Sequence, residues 1–168
     1  MNNVIYRTYA DEVPEFFRKI QGSFINKPVG GLWGCRGSEW YDWCTTEDFP
    51  CSENYFEWKL KEDTKVYTVD NKQDFLYLCN YANADIFSID YLKFIEEEGY
   101  DAVELTRNGN DILHLVTFVD EDITSVQFLD ISRMYPQAVT MGMNSWDVPS
   151  ICVFDPQKTV EVLKHVTL

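Results

Sequence analysis

Three short stretches carry residues whose types and spacing could do chemistry. Tyr6-Arg7-Thr8 sets an arginine inside an apolar run. A guanidinium there is costly unless paired, and its planar fork suits a phosphate or a carboxylate. A salt bridge to one of the chain's 28 acids or a ligand contact would each satisfy it. The second stretch, Lys27-Pro28-Val29-Gly30-Gly31-Leu32-Trp33-Gly34-Cys35, is followed by Trp40 and Trp43-Cys44. Paired glycines allow close approach of a ligand to backbone N–H groups. Tryptophans offer flat walls for a planar heterocycle, or else fill a core. The third, Ser145-Trp146-Asp147-Val148-Pro149-Ser150, puts an acid at the mouth of an apolar strand. Asp147 there could act in a cleft or cap local backbone N–H groups. Asp101 and Glu104 are weaker candidates of the same kind, and Glu96–Glu98 read as a solvated helix end.

The common catalytic signatures are missing: there is no P-loop, GxGxxG, GxSxG or HExxH. With only His114 and His165 in the chain, proton chemistry would fall to carboxylates, tyrosines or a cysteine.

The elements that must position these residues are short. Val4–Tyr9 reads as a first strand and Val13–Ile20 as a helix, with Val13, Phe16, Phe17 and Ile20 at helical spacing. Lys27–Cys35 is a Gly/Pro-marked turn entering a strand, and Ser38 can cap a helix carrying Trp40, Trp43 and Cys44. Asn54–Leu60 and Lys65–Asp70 alternate as strands around a polar turn at Lys61–Thr64. Gln73–Asn80 and Ile89–Glu98 read as helices, the second ended by Gly99. Ala102–Thr106 is a strand, and Asn108–Gly109 predicts a hairpin turn into a further strand, Ile112–Phe118. Met134–Met143 fits no single element. Pro149 precedes a buried strand, Ile151–Phe154, and Asp155–Pro156 opens a closing segment with Val160 and Leu163 facing inward. Scattered short strands with few helices predict an α+β domain over residues 1–168 rather than an alternating sheet.

Charge narrows the partners. The 28 acids against 14 bases leave a net charge of −14 on 168 residues, which repels nucleic acid and anionic membranes and favours a basic protein partner. No apolar run approaches the ~20 residues of a membrane span. The opening MNNVIYRTYADEVPEFF lacks a basic leader followed by an apolar stretch, so a cytoplasmic protein is expected. In that setting the five cysteines (35, 44, 51, 79 and 152), without CxxC spacing, are expected as free thiols. Zinc at Cys35, Cys44 and Cys51 would need a fourth ligand, and both histidines fall in stretches read as a strand and a terminal segment; no metal is expected.

In order, these stretches resemble a pattern seen in ADP-ribosyltransferase-like proteins, including small ones carried by bacteriophages. Tyr6-Arg7 is similar to that family's first strand bearing Arg or His, and GGLWGC to its glycine-aromatic strand beside the nicotinamide. Tyr100-Asp101-Ala102-Val103 is similar to the step before a late strand, and Ser150–Pro156 to the last strand ending in Phe-Asp-Pro. The resemblance implies a split mixed or antiparallel β-sheet with short flanking helices, NAD as cofactor, and transfer of ADP-ribose to a macromolecule, a protein in the first instance. It implies NAD contacts from Tyr6, Arg7, Thr8, Gly30, Gly31, Leu32, Trp33, Trp40 and Trp43. The sequence departs from the family where a catalytic glutamate would open the last strand: Ser150 stands there. Either Asp147 three residues earlier, or Asp101 or Glu104, would then supply the carboxylate, or the domain binds NAD without transferring it. An alternative of another class is a non-catalytic acidic inhibitor that imitates nucleic acid or docks on a basic host protein.

Overall fold

The computed structural model describes residues 4–12, 23–24, 27–28, 30–71, 73–74, 77–78, 91–117 and 146–167. Their order is β1 (Tyr6–Tyr9), β2 (Ser23–Phe24), β3 (Lys27–Pro28), β4 (Leu32–Arg36), α1 (Glu39–Thr46), β5 (Tyr55–Leu60), β6 (Val66–Val69), α2 (Tyr91–Glu97), β7 (Ala102–Leu105), α3 (Arg107–Thr117), β8 (Ser150–Val153), α4 (Pro156–Thr159) and β9 (Val160–Val166). The expected helix Val13–Ile20, the segment Met134–Met143, and Ser145 and Cys79 lie outside the described residues, as does part of Gln73–Asn80.

Seven strands form one mixed sheet in the order β6-β7-β8-β4-β1-β5-β9, while β2 and β3 pair separately. Among the described residues only β6 and β7 run parallel; the other described pairs of the large sheet are antiparallel. The chain is therefore α+β, with a few short helices against a mixed sheet. β4 changes partner along its length: Leu32–Gly34 face β8, whereas Cys35 and Arg36 face β1.

Side chains alternate across each strand, so the register sorts residues onto two faces. Tyr67, Val103, Cys152 and Trp33 are register partners across four strands. They join Leu92 and Ile95 of α2, with Trp146 and Phe154, in one apolar cluster. Val66, Ala102, Val153 and Leu32 form the matching row on the opposite face, with Tyr6, Trp58 and Val160. Tyr6 and Arg7 consequently belong to opposite faces of β1. Gly34 makes the second face possible, since a Cβ there would lie 2.5 Å from Cζ2 of Trp58 and 3.2 Å from the Arg7 carbonyl oxygen.

Three sequence expectations need correction. Asn108–Gly109 is no hairpin, because residues 107–117 are helical. Thr106 decides this: its Oγ1 accepts from the Gly109 N–H at 3.2 Å, an N-cap contact, and its carbonyl accepts from Asn110 N at 2.8 Å. The glycine serves close packing instead, for a Cβ would sit 2.2 Å from the Val69 carbonyl oxygen. Leu163 does not face inward, being 42% exposed on β9. The register steps from Glu57↔Lys164 to Trp58↔Val162, so Leu163 is the extra residue of a bulge. Ser38 precedes α1, but its hydroxyl donates to Asp42 Oδ2 at 2.7 Å and caps no backbone N–H.

Candidate functional site

The ends of β1 and β4, the start of β8 and the first turn of α1 enclose a cleft of about 310 Å³. Arg7, Thr8 and Tyr9 enter it from β1, Trp33 to Cys35 from β4, Trp40 from α1, and Trp146 to Val148 with Ser150 from the approach to β8. Residues far apart in the chain thus meet because β4 lies between β1 and β8 in the sheet. Trp33 and Trp146 pack edge to face, with centroids 4.5 Å apart. Trp146 is 2% exposed and anchors the segment that carries Asp147.

Arg7 lines the cleft and also makes a salt bridge. Its Nε and Nη2 donate to Glu57 Oε1 at 3.1 and 3.0 Å, and its guanidinium lies 4.5 Å from the centroid of Tyr55. Lys164 Nζ reaches the other oxygen of Glu57 at 3.0 Å. Burial alone would raise the Glu57 carboxyl, but hydrogen bonds from Lys164 and Arg7 outweigh it and hold the group below the usual glutamate range. Arg7 is thereby fixed in direction while its side chain keeps 29% exposure toward the opening.

Asp147 contrasts with Glu57, whose charge is matched by Arg7 and Lys164. Asp147 is half-buried, lines the cleft, and makes no hydrogen bond or ion pair among the described residues. Ser150 shares the wall, with its hydroxyl donating to the Val148 carbonyl at 2.8 Å, which tightens the turn between Asp147 and β8. Thr8 is a structural tie: its Oγ1 donates to the Trp33 carbonyl and accepts from Trp58 Nε1 at 2.9 Å. Trp40 borders the cleft, whereas Trp43 stacks behind it at 5.1 Å.

The remaining sequence candidates lie elsewhere. Tyr6 is buried on the other face, stacked 4.9 Å from Trp58, and donates to Glu104 Oε1 at 3.1 Å. Glu104 also accepts from Arg36 Nε and Nη2 at 2.8 and 2.7 Å. Burial first, and then the Glu104 charge, push the Tyr6 phenol strongly up. Asp101 sits at the far end of β7, where its carboxylate accepts from Lys65 N at 3.0 Å and pairs with Lys158 at 3.4 Å. Gly30 and Gly31, both with positive φ, turn the chain into β4, and Leu32 is core.

Glu57, Tyr9 and Trp146 were not singled out individually from the sequence. Only Trp146 carried a local signal, its place beside Asp147; Glu57 and Tyr9 enter through strand register. The Cys35 and Cys44 thiols are poor nucleophiles. Burial pushes Cys35 up to about 11, and burial followed by the neighbouring Cys51 pushes Cys44 up to about 12. Cys35, Cys44, Cys51 and Cys152 are free. Among the described residues no group of three His, Cys, Asp or Glu is arranged to hold a metal ion, and no helix is long and apolar enough to cross a membrane. No protein-family model, curated protein or solved structure matches the chain.

Proposed function

We propose that this cleft takes the nicotinamide-ribose end of NAD and that the protein transfers ADP-ribose to a protein acceptor, on an ADP-ribosyltransferase-like sheet. The observation that carries this reading is the meeting of Arg7, Trp33 and Asp147, from three separate stretches, around one small opening. At about 310 Å³ the cleft is at the small end of ligand cavities, suited to a nucleoside end rather than a whole dinucleotide. Trp33 and Trp40 offer ring faces to the nicotinamide, and Arg7 offers charge to the pyrophosphate.

The chemistry needs little more than a placed carboxylate. The C1′–N bond of NAD breaks with its electron pair leaving on nicotinamide, and positive charge develops on the ribose, as in glycoside cleavage. Asp147 faces that charge. The acceptor's lone pair then forms the new bond at C1′, and its proton passes to solvent. Asp147 has no salt-bridge partner among the described residues, whereas Glu104 and Asp101 are each paired with a cation.

NAD titration by calorimetry tests the binding half. The parent protein should give heat, and Arg7→Ala should weaken affinity by about tenfold to a hundredfold, the loss of one charged contact. No heat from the parent would leave the acidic-inhibitor reading, which the charge of −14 favours independently.

A further inference from the structure

The rim of the cleft at α1 carries a second surface. Trp40 and Trp43 stack at 5.1 Å with planes 19° apart. Phe49 lies edge-on to Trp40 and tilted to Trp43, with centroids 6.1 and 5.7 Å away. The patch is preformed. The chain reverses at Asp48 (φ 52°), and Phe49 N donates to the Cys44 carbonyl at 2.8 Å, folding the ring back on the helix. Even so Phe49 is 52% exposed, a large ring left in water beside a cleft.

Charge says what covers it. No lysine or arginine occurs between residues 37 and 58, while acids stand at 39, 42, 47, 48, 53 and 57. Glu39 pairs with Arg107, Asp42 with the Ser38 hydroxyl and Glu57 with Arg7 and Lys164, so those charges are engaged. Glu47 and Asp48 are exposed directly beside Phe49. Trp40 and Trp43 are half-buried and Phe49 is exposed; an aromatic ring open to water next to acids attracts a cation, and a guanidinium, planar and weakly hydrated, stacks on it better than an ammonium does. Single-stranded nucleic acid also stacks on aromatic rings, but its phosphates would meet this acidic rim.

We infer that the Trp40–Trp43–Phe49 patch docks an arginine-bearing basic segment of a partner protein, with Glu47 and Asp48 facing its charges. Because Trp40 belongs to both the patch and the cleft wall, a segment held here presents its side chains to the opening. The surface thus identifies the acceptor of the proposed transfer as a basic segment, and to that extent rests on that reading. Peptide binding is measured without NAD, so the two fail separately.

The test is fluorescence anisotropy of a labelled peptide of alternating arginine and serine against the full chain, beside matched lysine and glutamate peptides. The arginine peptide should bind, the lysine peptide less tightly and the glutamate peptide not at all. Phe49→Ala should weaken arginine-peptide binding by about fivefold or more while leaving NAD heat and circular dichroism unchanged. The double variant Glu47→Gln/Asp48→Asn should weaken it further and flatten its salt dependence; asparagine tolerates the backbone at residue 48. No binding of the arginine peptide, equal binding of the lysine peptide, or full affinity in a folded Phe49→Ala would overturn the inference.

Discussion

Two carboxylates stand near aromatic side chains on opposite sides of the sheet, and the fold treats them in opposite ways. Glu104 is buried, accepts from Tyr6 and Arg36, and links β7 to β1 and β4. Asp147 lies beside Trp146, opens on a cleft, and has no such partners among the described residues. An acid whose charge is matched at rest stabilises structure; one whose charge is left unmatched is free to meet charge that appears later. The contrast separates scaffold from site better than residue type does, since both acids adjoin strands rich in apolar residues.

Gly34, in β4 between the two sides, offers the hardest way to break this division. A methyl group there would collide with the Trp58 ring and the Arg7 carbonyl, both within the β1–β5 core. Gly34→Ala should cost about 3 kcal/mol, the upper end of overpacking, in denaturant unfolding. Gly37→Ala, where an added Cβ would meet nothing within 4 Å, should cost only the strain of its positive φ, about 1 kcal/mol.

Glu104→Gln probes the matched acid. Breaking a buried pair costs about 3–5 kcal/mol when both partners are dry. The Arg36 side chain is 55% exposed, so water covers part of that loss and about 2 kcal/mol is expected by the same unfolding measurement. On the cleft side Glu57 is buried and matched in the same way, by Arg7 and Lys164. Glu57 has a lowered folded pKa, so the stability from its pairing is present above the unfolded glutamate value and is lost as pH falls through the folded one. With partners 29% and 57% exposed, Glu57→Gln should likewise cost about 2 kcal/mol at neutral pH and flatten the acid limb below about pH 4.5 in pH-dependent thermal melts. Asp147→Asn should shift stability least, by no more than about 0.5 kcal/mol, because no resting contact among the described residues depends on its charge.

How far the sequence reached follows the same division. Alternating apolar runs located β1, β4, β5, β6, β7 and β8, and Gly99 marked the end of α2, because burial and backbone freedom write local signals. The hairpin at Asn108–Gly109 failed because Thr106 caps a helix there, and a cap of one residue outweighed a turn dipeptide. Leu163 failed because a bulge shifts register without leaving a trace in composition. In the candidate site, Arg7, Trp33 and Asp147 were legible as unusual types in apolar surroundings. Treating Tyr6-Arg7-Thr8 as one block missed the period of two that sends Tyr6 to the far side with Glu104. Glu57 was illegible, since its role exists only through pairing with β1 and β9.

The most direct test of the division compares nicotinamide release from NAD by the parent protein, Asp147→Asn and Glu104→Gln, with cell lysate supplying the acceptor. Asp147→Asn should bind NAD with nearly parental affinity and lose release by about a hundredfold or more, because the carboxylate meets its opposing charge only in the transition state. Glu104→Gln should release nicotinamide at close to the parental rate wherever it remains folded. Full release by Asp147→Asn, or its loss in a folded Glu104→Gln, would contradict the assignment of the cleft carboxylate as the reactive one.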